Sequence, residues 1–298
     1  MEPRIGNENC ILVPTDFSPV CKNALSHAVE LSIASNCKIY LLHIITENQI
    51  PTISHKDLLD NENYLDEQNP LNPIGQKLQE LIDDCDIEGI VPIIRQGEFF
   101  ETLTDAIEEI NADIIVLGTH GKVGIQRILG SYAVKVIDIS DIPVIIVQEY
   151  AQPKIYKNII FPIKLKSGDR QKVQSAVLLA LATDAKIHIF PYFGPKGADY
   201  VKLNNEIIQV CNYLNRYGIE YHLVDNFNDD ENFNQQILDY SITANADLII
   251  IMSNADKHHI ISGAQEESLL FNKQQIPILC LNKKKVRHSS SGGLVTGN

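Results

Sequence analysis

Asp113-Ile114-Ile115-Val116-Leu117, followed by Gly118-Thr119-His120-Gly121 and, after Lys122 to Leu129, by Gly130-Ser131, is the stretch whose reading decides the fold. The apolar run is a strand buried on both faces, and the glycines behind it predict a turn into a helix that Gly130-Ser131 opens. Strand, glycine-rich turn and helix start together make anion-binding architecture. Free N–H groups and the helix dipole favour a phosphate there, and glycine lets it approach the main chain. The spacing matches neither the G-x-x-x-x-G-K-[ST] phosphate loop nor the G-x-G-x-x-G dinucleotide fingerprint.

A second stretch points the same way. Ile11-Leu12-Val13-Pro14-Thr15-Asp16-Phe17-Ser18-Pro19 is a short apolar strand ending in a carboxylate, with Ser18 as N-cap and Pro19 in the first helical position. Behind it Ala24, Leu25, Ala28, Leu31 and Ala34 recur at helical spacing. Further strands are expected at Lys38 to Ile45, Val91 to Arg95 and Pro143 to Val147, with helices around Lys77 to Ile82, Phe100 to Ile110 and from Ser131 to Ile139. Pro92 places the Val91 strand at a sheet edge. Residues 46–75 are acidic and contain Asn and Pro, and read as a long loop or partly helical insertion.

The chain then repeats itself. Asn158 to Pro162 matches Cys10 to Pro14, Lys186-Ile187 matches Lys38-Ile39, and Asp247 to Ile251 matches Asp113 to Leu117. Asp113 precedes Pro143 by 30 positions, as Asp247 precedes Pro277. The alternation of strand and helix implies an α/β fold of two tandem, doubly wound parallel sheets, five strands in each half. The expected boundaries are 1–152, 153–283 and a disordered tail, 284–298.

The two stretches resemble the nucleotide-binding members of the universal stress protein family, which carry G-x2-G-x9-G-[ST] and an Asp after the first strand. The resemblance covers nearly the whole chain as two copies. Eight residues, not nine, separate Gly121 from Gly130, and one residue removed from helical backbone rotates the residues behind it by about 100°. The resemblance implies strand order 3-2-1-4-5 in each half, ATP with Mg²⁺ as cofactor, and a crevice between the first and fourth strands. Pro14, Thr15, Asp16, His43 and Ile44 would then surround base and ribose, with Gly118, His120, Gly121, Gly130 and Ser131 around the phosphates. It also implies that the final strands of the two halves pair antiparallel as a pseudo-two-fold dimer. A further homodimer and an unidentified protein partner remain open.

In register, Lys164, Met252, Ala255, Ala264 and Gln265 replace Asp16, Gly118, Gly121, Gly130 and Ser131, so the second half is expected to be a degenerate copy. The other class of function open to such a chain is a scaffold of the same fold with a vestigial glycine motif and no nucleotide. Each residue has its plainer reading as well. Asp16 suits a turn before a helix, Lys122 and Arg127 suit solvent, and His120 lacks an acid partner in sequence. His258-His259 has no third ligand at a metal-binding spacing. There is no nucleophile elbow, so hydrolysis would be slow at most.

Composition narrows the partners. The net charge of −13 lies in the first half, where residues 1–150 hold 9 Lys/Arg against 24 Asp/Glu. An acidic surface of that size argues against nucleic acid, which is bound by neutralising phosphates. No apolar run reaches the ~20 residues of a membrane helix, and the first residues lead into no signal peptide, so a cytoplasmic location is expected. The six cysteines are scattered without a C-x-x-C pair, which speaks against a zinc knuckle or disulfide framework.

Overall fold

The protein is described from a computed structural model, which covers residues 9–46, 65–66, 69–119, 127–164, 169–193, 200–225, 232–253 and 268–282, with side chains omitted at 127–131 and 169–171. Ten strands form one sheet in the order β3-β2-β1-β4-β5-β10-β9-β6-β7-β8. In chain order the first half comprises β1 (Cys10–Pro14), α1 (Pro19–Ser35), β2 (Lys38–Ile45), α2 (Asn72–Asp83), β3 (Ile90–Gln96), α3 (Phe99–Glu109), β4 (Ile114–Thr119), α4 (Arg127–Ile139) and β5 (Val144–Gln148). The second half comprises β6 (Asn158–Lys164), α5 (Asp169–Thr183), β7 (Lys186–Tyr192), α6 (Tyr200–Arg216), β8 (Tyr221–Leu223), α7 (Phe233–Thr243), β9 (Leu248–Ser253) and β10 (Ile278–Asn282).

The strand order within each half is the one the resemblance implied, and both faces of the sheet are covered. Ile11 and Val13 point into one core with α1, α2, α5 and α6, while Leu12 points into the other with α3, α4 and α7. That alternation is the period of two that a pleated strand imposes. Burial on both faces explains why β1 and β5 read as unbroken apolar runs.

Duplication extends to backbone details. Asn36 and Asp184, after the first helix of each half, have φ of 53° and 52°, and Asn111 and Asn245 have φ of 51° and 47°. Asn and Asp tolerate this left-handed conformation, which ends a helix sharply. The carboxylate opening the fourth strand repeats too. Asp113 Oδ2 accepts from the Cys10 N–H, and Asp247 Oδ2 from those of Lys157 and Asn158.

The halves meet at an antiparallel pair, Val144, Ile145 and Ile146 of β5 against Cys280, Leu279 and Ile278 of β10. An apolar edge that would invite association is thereby paired within the chain. The outer edges are β3, which carries Pro92, and the three-residue β8. The connecting segment packs closely, for Ala151 and Tyr156 are 3% and 2% exposed.

Three expectations change. Gly118 lies within β4, paired with Val147, rather than in a turn after it. α4 begins at Arg127, so Gly130-Ser131 fall inside the helix instead of opening it, since Arg and Leu are good helix formers and no Pro interrupts them. Within the 46–75 span α2 already starts at Asn72, and the helix expected at Lys77 to Ile82 is its later part. The tail from 283 onward, His120, Gly121, Lys122 and His258-His259 lie outside the described residues.

Candidate functional site

β1 pairs with β4 only through Ile11–Ile114 and Leu12–Ile115, while on its other side it stays paired with β2 as far as Pro14–Leu42. Beyond Leu12 the two central strands separate. Their helices leave on opposite faces, α1 on one and α4 on the other, and this is the strand-order reversal at which open α/β sheets bind ligands.

A cleft occupies the divergence. Pro14 and Asp16 line it from the end of β1, Val20 and Cys21 from α1, and Leu117 and Gly118 from β4. Phe99 of α3 and Tyr132, Ala133 and Val136 of α4 form the opposite wall. Asp16 is exposed, and its Oδ1 accepts the Ser18 N–H at 2.9 Å. Burial acts to raise the Asp16 pKa, but Ser18, through hydroxyl and N–H, and the Cys21 thiol outweigh it and leave the pKa below the usual carboxylate value. The Ser18 hydroxyl does not cap α1. Asp16 is therefore an anion at neutral pH. Cys21 is no nucleophile, for burial and the nearby Asp16 charge push its pKa up to about 12.

Thr15 and His43 sit behind the cleft. The Thr15 side chain accepts the Phe17 N–H at 3.1 Å, and its carbonyl accepts His43 Nδ1–H at 2.8 Å. His43 follows Leu41 and precedes Ile45 on the face toward α1 and α2, opposite the aromatic wall. Burial, which lowers its pKa against the pull of the Thr15 carbonyl and Asp16, keeps it neutral. Ile44 faces the other way, toward the core against which Phe99 and Phe100 also pack. Of the residues chosen from sequence, the structure thus brings Pro14, Asp16 and Gly118 together. Gly130 and Ser131 are placed by backbone alone, in the early part of α4.

Sequence reasoning missed Phe17, Phe99 and Tyr132. Phe17 has φ of 67°, costly for a bulky residue, and is held with its ring 4.5 Å from that of His43 and 5.5 Å from Lys77 Nζ. The Phe99 and Phe100 rings lie 5.5 Å and 5.0 Å from Tyr132, and Lys135 Nζ stands 3.6 Å over Phe100. Two adjacent aromatics straight after the Gly97 turn were the available signal. Core packing explains such a pair equally well until the neighbouring helix is placed.

A model of the universal stress protein family matches residues 9–148. A universal stress protein of Methanocaldococcus jannaschii is 30% identical over 153 residues, which cover 46% of this chain and 93% of that protein. The chain belongs to the universal stress protein family. A second such protein, from Bacillus subtilis, is 30% identical over 146 residues, spanning 47% of this chain and 99% of its own length. The crystal structure of a universal stress protein from Archaeoglobus fulgidus is similar over 94% of this chain and 100% of that one, with a TM-score of 0.68 at 20% identity. At that identity the likeness is one of fold, and it spans both halves. Within this universal stress protein fold no described helix is long and apolar enough to cross a membrane. Among the described residues no group of three or more His, Cys, Asp or Glu is placed to hold a metal ion.

Proposed function

We propose that the first half binds an adenine nucleotide, ATP accompanied by Mg²⁺, in the β1–β4 crevice, and that the protein serves the stress response as a nucleotide-dependent regulator. The observation that carries this reading is an ionised Asp16 at the mouth of a cleft walled by Phe99 and the 38% exposed Tyr132. A carboxylate suits ribose hydroxyls, aromatic faces suit a planar base, and the early N–H groups of α4 suit phosphate. Cys21, the thiol of the cleft, is held protonated and offers no nucleophile of its own, and the nucleotide would serve as a signal rather than a substrate. The second half, with Lys164 in the place of Asp16 and Met252 in the place of Gly118, would be a structural copy without a nucleotide.

Calorimetry on the full chain gives the test. One ATP equivalent per chain is expected, and Asp16→Ala should weaken it about 10- to 100-fold, the worth of one or two charge-assisted hydrogen bonds. Lys164→Ala should change nothing. Two equivalents, or undiminished affinity in Asp16→Ala, would overturn the assignment.

The aromatic wall has its own signature. Phe99→Ala should lower ATP affinity about 3- to 10-fold while leaving pyrophosphate binding alone, because stacking is lost and the phosphate contacts are not. Equal losses for both ligands would show that Phe99 merely supports α3.

One observation favours the scaffold reading. The missing side chain of Gly118 is accounted for by packing, since a Cβ there would lie 2.6 Å from the Val20 carbonyl oxygen. A wild-type chain that takes up no ATP would decide for the scaffold.

A further inference from the structure

Each half ends its last strand in a side-chain amide, Gln148 in β5 and Asn282 in β10, 134 positions apart, as are Asp113 and Asp247. Both amides cross the seam. Asn282 Nδ2 donates to the carbonyls of Ile137 and Ser140, the latter at 2.6 Å, and lies 3.5 Å from that of Asp138. Its Oδ1 accepts from the Ser253 hydroxyl at 2.5 Å. Gln148 Nε2 donates to the Asn272 carbonyl at 2.9 Å.

The exchange is reciprocal in place but unequal in weight. Asn272 donates its own amide to the carbonyls of Leu269 and Ile276, so the second half's segment is tied off from within. The residue 134 positions earlier is Asp138, whose side chain carries no N–H to donate in the way the Asn272 amide does. The last turn of α4 contains no basic residue either. Ile137 and Ser140 are each 1% exposed, so water is a poor substitute donor for these end carbonyls. Asn282 fills the gap from the other half. Its orientation is set by Ser253, whose hydroxyl holds Oδ1 and so turns the Nδ2 donor toward α4.

α4 is also the helix that carries Gly130-Ser131 near its start and Tyr132 in the cleft wall. A helix with its end tied to the β9–β10 side of the seam cannot slide or tilt independently of that side.

We propose that Asn282 is a positioning residue for the nucleotide crevice. The second half holds α4 by its C-terminus, with Ser253 as the orienting partner. This rests on the nucleotide reading for its functional consequence but not for the cap itself. Ser253 ends β9 as Thr119 ends β4, at the rim of the second half's own crevice, so a change at that rim reaches α4 through one shared amide.

Hydrogen exchange and calorimetry on the full chain test it. Without nucleotide, Asn282→Ala should speed amide exchange across the last turns of α4 by about tenfold, the effect of one lost buried hydrogen bond. It should also weaken ATP binding about 3- to 10-fold. Asn282→Gln, which keeps the amide that Gln148 uses in the mirror position, should restore much of both. Ser253→Ala, a gentler change should Asn282→Ala fail to fold, should show the same pattern to a smaller degree. Unchanged exchange in α4 would overturn the cap. Faster exchange with wild-type ATP affinity would overturn the positioning role and leave the ATP site standing. A wild-type protein that does not bind ATP would overturn the site assignment and the positioning role with it, while the exchange rates still judge the cap.

Discussion

Gly118→Ala is expected to destabilise the protein by about 3 kcal/mol or more, the upper end of what overpacking costs, in the complete absence of nucleotide. The added Cβ would stand 2.6 Å from the oxygen and 2.8 Å from the carbonyl carbon of Val20, and 3.1 Å from the Cys21 nitrogen. These are backbone atoms in the first turn of α1 and cannot rotate away. Either α1 lifts off β4 or β4 bends out of its pairing with β5 at Val147. In the second half Met252 occupies this place, and α5 begins 150 positions after α1 although β6 begins 148 after β1, so the helix start is set later there. Urea unfolding measures the effect directly. If Gly118→Ala is within about 0.5 kcal/mol of wild type, α1 is not packed as described, and the glycine is to be explained by a ligand after all.

Acid should weaken the fold well above the pH at which carboxylates titrate. His27 is 1% exposed in α1, with Nε2 3.4 Å from the Ala151 carbonyl and Nδ1 3.4 Å from the Tyr156 hydroxyl. Both ring nitrogens are thus used by the neutral form, one as donor and one as acceptor. Burial, and to a lesser extent the Lys154 charge, lowers its pKa to about 4 against the pull of the Ala151 carbonyl. The unfolded chain takes up a proton near pH 6.5, while the folded chain refuses it until near pH 4. Stability is therefore complete above about pH 6.5 and is lost progressively as the pH falls toward 4. From His27 alone the loss amounts to about 2 kcal/mol at pH 5 and about 3 kcal/mol at the bottom of the window.

His188 acts in the same window and with the same sign. Burial, then His222 and Lys186, lower its pKa to about 4 against Glu220, and its ring nitrogens face the Tyr240 hydroxyl and Asn158 Oδ1. Its share is smaller, because the site opens to solvent beside the exposed His222 and water screens it. Urea unfolding at pH 7 and pH 5 should show the drop, and His27→Phe should shrink it whatever it does to stability at pH 7. An undiminished drop in His27→Phe would refute the assignment to His27.

Much of this molecule is determined locally and was legible without coordinates. Strands buried on both faces are apolar at nearly every position, so β1, β4 and β5 and their copies stand out, and a repeat of 134 to 148 positions brings the whole α/β plan with it. That Asp16 lies at the crevice was legible because it follows the carboxyl end of a central strand. The antiparallel seam between β5 and β10 followed from the resemblance together with the need to cover apolar edges.

What only the tertiary structure decided depends on contacts between segments far apart in the chain. Gly118 reads as a turn or phosphate glycine until α1, nearly a hundred residues earlier, is seen against it. His43 and Ile44 adjoin in sequence yet face opposite sides of the sheet, since successive side chains alternate, and only the placement of α3 and α4 shows which side holds the cleft. Phe99 and Tyr132 share no local pattern and meet because two crossovers lie on the same face. Asn282 is one polar residue at the end of a strand. That its amide closes a helix of the other half is a consequence of the antiparallel seam, which no periodicity in either segment encodes.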